Sequence, residues 1–332
     1  TYTNKTARGF LYKPVDFDSS KKYPVIIGYY ENTMGNRGLE LQGGASVPLG
    51  NFLQRGYLVF FPEVRHSLGE IATAAYDFVV SGAESIAQLP YVNSKRMGIT
   101  GHSFGSYQTN FLVTQTNLFA AAVSNSGMSN LISDYGAINE FHRLPAASNE
   151  AGQTSIGATP WSRPDLYIKN SPIFYADKIN TPLLLSHCQD PNVPLNNSIQ
   201  LFMALRRLGR RVWLLTNNEK THGGVQTMKK NNVNLVEQFF DHYLKDAPAP
   251  CWMLEGIPAK LRGVESRTES DSTGRTPGSG LVMENVKPFS EVHAAILNNP
   301  TEVTPDGKIE KIKQEVSTKI TQPKQQPDET SF

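Results

Sequence analysis

Short apolar runs alternate with longer amphipathic stretches along the first two thirds of the chain. Tyr23–Tyr30, Tyr57–Phe61, Arg96–Thr100, Phe119–Val123, Thr181–Ser186 and Arg211–Thr216 are brief, apolar-centred and bounded by turn residues. That length and punctuation predict strands, and near-continuous apolarity predicts burial on both faces. Between them, Asn51–Gly56 reads as a helix end capped by glycine. Glu70–Gln88 carries Ile71, Ala75, Phe78 and Val79 at helical spacing, and Tyr107–Gln115 offers Tyr107, Phe111 and Val113 for packing. Leu195–Leu208 predicts a helix stopping at Gly209, and Asn231–Leu244 a last one. Strands separated by helices imply an α/β fold, with a mostly parallel sheet and helices on both faces. Reactive groups on such a sheet belong at the carboxyl ends of its strands.

The strand Arg96–Thr100 runs straight into Gly101-His102-Ser103-Phe104-Gly105. G-x-S-x-G is the spacing of a nucleophile elbow, where a serine sits on a strained strand-to-helix turn and flanking glycines avoid collisions. Alone the pattern is weak, since a small-residue turn matches it equally well. Here a strand precedes it, a helix follows, and Phe119–Val123 supplies the next strand. Ser103 is therefore the candidate nucleophile of an α/β-hydrolase fold.

In that fold the partners follow in the order serine, acid, histidine. Of seven histidines, His66, His102, His142 and His187 are poorly placed by order or position, His242 lies inside the last helix, and His293 lies far along the chain. His222, in the loop after the strand ending near Thr216, stands where a base must sit. The acid must come from the loop after the preceding strand, and Asp190 is the only carboxylate there; Asp165 and Asp177 precede the strand. Asp190 before Pro191 would equally suit a turn. An oxyanion needs donors: the N–H of Phe104, directly after the nucleophile, and a group from the end of the first apolar run, where Tyr29 and Tyr30 are equal candidates.

Lys21-Lys22-Tyr23-Pro24 leading to Tyr30, Gly101–Gly105, Asp190 with Val193-Pro194, and His222 together resemble the prolyl oligopeptidase family, particularly its dipeptidyl-peptidase-like and acylaminoacyl-peptidase-like members. Tyr167–Pro172 and Phe239–Lys245 are also similar, so the likeness covers about Phe10 to Pro258. The resemblance implies a serine peptidase that cleaves oligopeptides through an acyl-enzyme. Ser103 would be the nucleophile, Asp190 the orienting acid and His222 the base, with Tyr30 favoured over Tyr29 as oxyanion donor. It implies a peptide substrate and no metal or organic cofactor. Tyr135, Trp161 and Tyr167 are candidates for the substrate pocket. Family members commonly carry an N-terminal β-propeller; none lies in this chain, and bacterial members suggest a periplasmic or secreted setting. Two departures stand out: Ser106 replaces a usual glycine, and Cys188 replaces another in an acid loop that is one residue shorter. Shortening that loop can shift Asp190 relative to His222, and a misplacement of about 1 Å is costly in rate. Two other readings remain: a carboxylesterase on the same fold, and a catalytically impaired binding or scaffold relative.

Composition narrows the picture. A net charge of +2 over 332 residues argues against a dedicated nucleic-acid binder, and no apolar stretch approaches a bilayer span. Two cysteines, Cys188 and Cys251, suggest neither a disulfide framework nor a zinc site. The chain starts at Thr1 rather than Met, which reads as a trimmed chain with room upstream for a targeting segment. From Pro258 to Phe332 there is no Trp or Tyr, and Ser, Thr, Pro, Lys and Glu abound. The expected organisation is therefore a catalytic domain over 1–257 and a largely disordered tail over 258–332, with one short helix around Lys308–Thr318.

Overall fold

The six apolar runs and the short segment Gly9–Tyr12 become the strands of a single seven-stranded sheet, side by side in the order Gly9–Tyr12, Leu58–Pro62, Tyr23–Gly28, Val92–His102, Ala121–Asn125, Leu183–His187 and Val212–Thr216. The computed structural model describes residues 1–31, 49–65, 68–138, 144–216, 218–222, 230–258, 261, 265–278, 301–303 and 309–311. The strands are β1 (Gly9–Tyr12), β2 (Tyr23–Gly28), β3 (Leu58–Pro62), β4 (Val92–His102), β5 (Ala121–Asn125), β6 (Leu183–His187) and β7 (Val212–Thr216). Only β1 runs antiparallel, pairing its Phe10 with Phe61 of β3 at the sheet edge. The other neighbours are all parallel.

Successive strand residues point to opposite faces, and both faces are covered, which explains the continuous apolar runs. Val25, Ile27, Leu58, Ile99 and Leu185 pack with Phe78, Val79 and Ala83 from the helical stretch Ile71–Ala87. The same layer takes Leu112 and Val113 from α4 (Phe104–Gln115) and Leu201 and Leu205 from α8 (Asn196–Arg207). The stretch Ile71–Ala87 contains α2 (Ile71–Ala75), a π turn at Tyr76–Val80 and α3 (Ser81–Ala87), where one continuous helix is the sequence expectation. At that turn the Ser81 hydroxyl donates to the carbonyl of Asp77 at 2.5 Å. On the opposite face Ile26, Val59, Val123 and Leu184 meet Phe52 of α1 (Leu49–Gln54), Phe239, Phe240 and Leu244 of α9 (Lys230–Lys245), and Trp252 of α10 (Cys251–Glu255).

Between β5 and β6 the chain forms three short helices that periodicity does not announce: α5 (Leu131–Tyr135), α6 (Pro145–Ala151) and α7 (Pro164–Lys169). A 3₁₀ segment, Pro172–Lys178, then leads into β6. The chain divides into two units, Thr1–Val282 and Met283–Phe332. Residues 265–271 belong to the first: Cys251 N–H donates to Glu269 O at 2.9 Å, Trp252 N–H to Arg267 O at 3.0 Å, and Asp271 N–H to Ala249 O at 2.8 Å. These backbone bonds, the Arg267–Glu255 ion pair at 2.9 Å and the Gln238 amide donating to Thr268 O at 2.6 Å hold this segment rather than apolar burial, so composition gives no sign of it. In the second unit, β8 (Thr301–Val303) pairs antiparallel with β9 (Ile309–Lys311). Residues 309–311 are thus strand rather than the expected helix, their backbone paired with Thr301–Val303.

Gly98 of β4 marks where α9 lies closest to the sheet. A Cβ there would stand 2.7 Å from the Phe240 ring and 2.9 Å from a Leu244 methyl, both buried. Gly98→Val therefore overpacks this layer without touching the carboxyl ends of the strands, and a loss of about 1–3 kcal/mol is expected from the urea midpoint. An unchanged midpoint would mean that α9 yields freely.

Candidate active site

The parallel register brings the carboxyl ends of four strands into one line. His102 of β4 lies opposite Asn125 of β5, Asn125 opposite Ser186 of β6, and Ser186 opposite Leu215 of β7. The loops leaving β4, β6 and β7 carry Ser103, Asp190 and His222, so three residues distant in sequence start from one edge.

Ser103 sits between β4 and α4 at φ 54°, ψ −117°, a left-handed conformation that costs a non-glycine residue about 1–3 kcal/mol. Its N–H donates to Asn125 O at 2.9 Å, and its carbonyl accepts from Tyr107 N–H at 3.0 Å. The glycines of the motif are required by contact. A Cβ at Gly101 would lie 2.2 Å from the Gly105 carbonyl carbon, and one at Gly105 would lie 2.6 Å from Tyr29 O. Ser106, the departure from the usual glycine, is accommodated locally. Its buried Oγ is 2.5 Å from Ser124 Oγ, and it occupies the space beside Gly127, where a Cβ would come within 2.1 Å of that oxygen.

His222 stands between the other two groups. Its Nε2 is 2.8 Å from Ser103 Oγ and its Nδ1 is 2.7 Å from Asp190 Oδ2. The second carboxylate oxygen of Asp190 accepts from the N–H groups of Asn192 at 2.8 Å and Val193 at 3.1 Å. Burial opposes ionisation of Asp190, but His222 and these two amides outweigh it and hold the carboxyl below its usual range. The shorter acid loop therefore leaves Asp190 within hydrogen-bond reach of His222.

His187, at the end of β6, explains how that loop is held. Its ring is wholly buried; Nε2 donates to Val193 O at 3.0 Å, so Nδ1 accepts from Ser198 Oγ at 2.7 Å. Burial pulls its pKa down, which keeps the ring neutral 4.0 Å from Asp190 Oδ2. Sequence order gives His187 no role as a base; the available signal is a histidine at a strand end, three residues before the acid. His102 packs against His222 with ring centres 4.9 Å apart, and burial, then repulsion from His222, push its pKa down to about 4. It stays uncharged beside the site. His66, His142 and His293 lie outside the described residues.

The two tyrosines after β2 diverge. Tyr29 is buried with its hydroxyl 2.7 Å from Thr109 Oγ1, whereas the Tyr30 hydroxyl faces Ser103 and the N–H of Phe104. Burial raises the Tyr30 pKa, so it carries its proton at neutral pH. Tyr135 contacts both Trp161 and Tyr167, with ring centres 5.6 and 5.7 Å apart. Tyr167 has no exposed surface and donates to Ala158 O at 2.7 Å, while Trp161 is 81% exposed. Tyr167 packs with Phe104, Tyr107, Phe111 and Ile156, with Tyr30 and Tyr135 against the edge of the cluster, so an apolar layer lies beside the elbow. Among the described residues no group of three or more His, Cys, Asp or Glu could hold a metal ion, and no helix is long and apolar enough to cross a membrane.

Comparison with known proteins adds an independent line. Over 261 residues the chain is 28% identical to an uncharacterized peptidase, YuxL, of Bacillus subtilis, covering 71% of this chain and 37% of that protein. It is 23% identical over 263 residues to dipeptidyl-peptidase 5 of Porphyromonas endodontalis, covering 70% and 35%. The solved acylaminoacyl peptidase of Pyrococcus horikoshii superposes with a TM-score of 0.59 at 26% identity, covering 74% of this chain and 40% of that one. The architecture is thus the α/β-hydrolase fold of these peptidases, and the chain spans well under half the length of these relatives. The prolyl oligopeptidase family model matches residues 52–247, a span that is more than half of the chain and includes Ser103, Asp190 and His222, and the chain belongs to that family.

Proposed function

We propose that this chain is the catalytic part of a serine peptidase acting on oligopeptides. The observation that carries the reading is the unbroken line from Ser103 Oγ through His222 to Asp190, with separations of 2.8 and 2.7 Å. In this reading Ser103 Oγ attacks the peptide carbonyl carbon while His222 Nε2 takes its proton. Asp190 accepts from Nδ1–H, fixes the tautomer and offsets the charge of the imidazolium. His222 then returns the proton to the leaving amine, and the acyl-enzyme is released when His222 deprotonates an attacking water. The negative charge on the carbonyl oxygen is met by the Phe104 N–H and the Tyr30 hydroxyl. The peptidase names of the relatives support peptide rather than ester substrates. The reach of Asp190 to His222 argues against an impaired scaffold.

Three outcomes test this reading. A fluorophosphonate probe should label Ser103, with labelling lost in Ser103→Ala, and peptide anilides should be turned over faster than p-nitrophenyl esters; an unlabelled wild type would remove the catalytic reading. Tyr30→Phe should lower kcat by roughly 10²–10³-fold with little change in KM, since the donor acts on charge that develops in the transition state.

The third outcome concerns pH. Because the Asp190 pKa is lowered in the folded protein, the folded state binds its proton less tightly than the unfolded chain does. Its contribution to stability is therefore full above the unfolded carboxylate value of about 4 and is lost as pH falls through the lower folded value. Urea unfolding of wild type and Asp190→Asn should show a stability gap that is constant near neutrality and closes in acid. A gap that widens in acid would contradict an ionised Asp190.

A further inference from the structure

Both nitrogens of the His222 ring are engaged, Nε2 with Ser103 Oγ and Nδ1 with Asp190 Oδ2. Two bonds at two ring atoms fix a line through the ring, and they leave it able to tilt about that line. A tilt bends both bonds away from linearity, and hydrogen bonds weaken steeply as that angle closes. A group packed on the ring from the side resists the tilt.

His102 supplies such a group. Its ring centre lies 4.9 Å from that of His222, with the two planes inclined by 45°. His102 ends β4, one residue before Ser103, and its backbone lies in register with Asn125 of β5. One strand end therefore places both Ser103 and the ring that bears on His222.

Hydrogen bonding at Nδ1 does not account for a histidine here. That atom of His102 is buried and has no hydrogen-bond partner. A proton on it would be a buried donor with no acceptor, so the neutral ring carries its proton on Nε2. A buried nitrogen without a partner is a cost that an apolar side chain would avoid, and such groups gather where function needs them. Burial and the neighbouring His222 keep His102 uncharged. In the peptidase reading His222 takes the proton of Ser103 and becomes a cation. An uncharged aromatic ring at this distance attracts that cation through its negative face, whereas a charged ring would repel it.

We propose that His102 is a positioning residue for His222: its uncharged ring packs on His222, keeps that ring in line with Ser103 and Asp190, and lies against the imidazolium as it forms. The proposal rests on the peptidase reading above and extends it to a side chain outside Ser103, Asp190 and His222.

The test compares His102→Ala, His102→Gln and His102→Phe by p-nitrophenyl ester turnover and by the far-downfield proton resonance of the His222–Asp190 hydrogen bond. The Ala variant removes the ring, and the Gln variant keeps a polar side chain without a ring face. Each should lower kcat about tenfold with KM unchanged, and should broaden or lose the resonance. His102→Phe restores a ring face and removes the unpartnered nitrogen, so it should fold as well as wild type and recover most of the kcat and the resonance. A side chain serving the fold alone would lower the urea midpoint of the Ala and Gln variants while their kcat and resonance stayed at wild-type values. That outcome would overturn the proposal, as would a Phe variant no better than Ala. A wild type that shows the resonance but no Ser103-dependent turnover would overturn the peptidase reading instead, and the resonances of the three variants would still decide the role of His102.

Discussion

Everything in this site depends on backbones meeting without room for one added carbon. Gly101 and Gly105 touch across the turn, and Gly105 in turn lies against the carbonyl of Tyr29 at the end of β2. The left-handed φ of Ser103 follows from that crossing, because the chain must reverse from strand to helix within one residue. The same approach sets Tyr30 beside the Phe104 N–H, so Ser103 and both candidate oxyanion donors share one packing constraint. The strain at Ser103 persists because the β4–β5 ladder and two apolar layers over-determine the turn.

Asp190 is held by different means. The Asp190 loop carries no glycine, yet two amides, a buried neutral histidine and the hydroxyl of Ser198 define its course. His187 serves both ends of this device: one ring nitrogen grips Val193, and the other is anchored on α8. Its neutrality matters, because a second positive charge near Asp190 would compete with His222 for the carboxylate.

Much of this frame can be read from residue order. Strand runs buried on both faces, a serine between glycines, and loops with a carboxylate and a histidine after later strands are local signals, and local signals survive in sequence. What could not be read involves distant partners or backbone pairing. β1 is short and owes its place to β3, the helices between β5 and β6 are too brief for periodicity, and residues 265–271 attach through main-chain bonds. Tyr29 and Tyr30 look alike in sequence; only the turn of the strand end separates a hydroxyl bound to Thr109 from one facing Ser103.

The contact between Ser106 and Gly127 reaches beyond this molecule. Because the serine oxygen fills the space a methyl group at 127 would need, the two positions are not independent in inheritance. The Ser106 Cβ at 2.6 Å and its backbone carbon at 2.9 Å crowd the same point, so a side chain at 127 would meet the main chain of the helix even with glycine at 106. Serine at 106 is thus confined to sequences that keep glycine at 127, whatever else changes at the elbow.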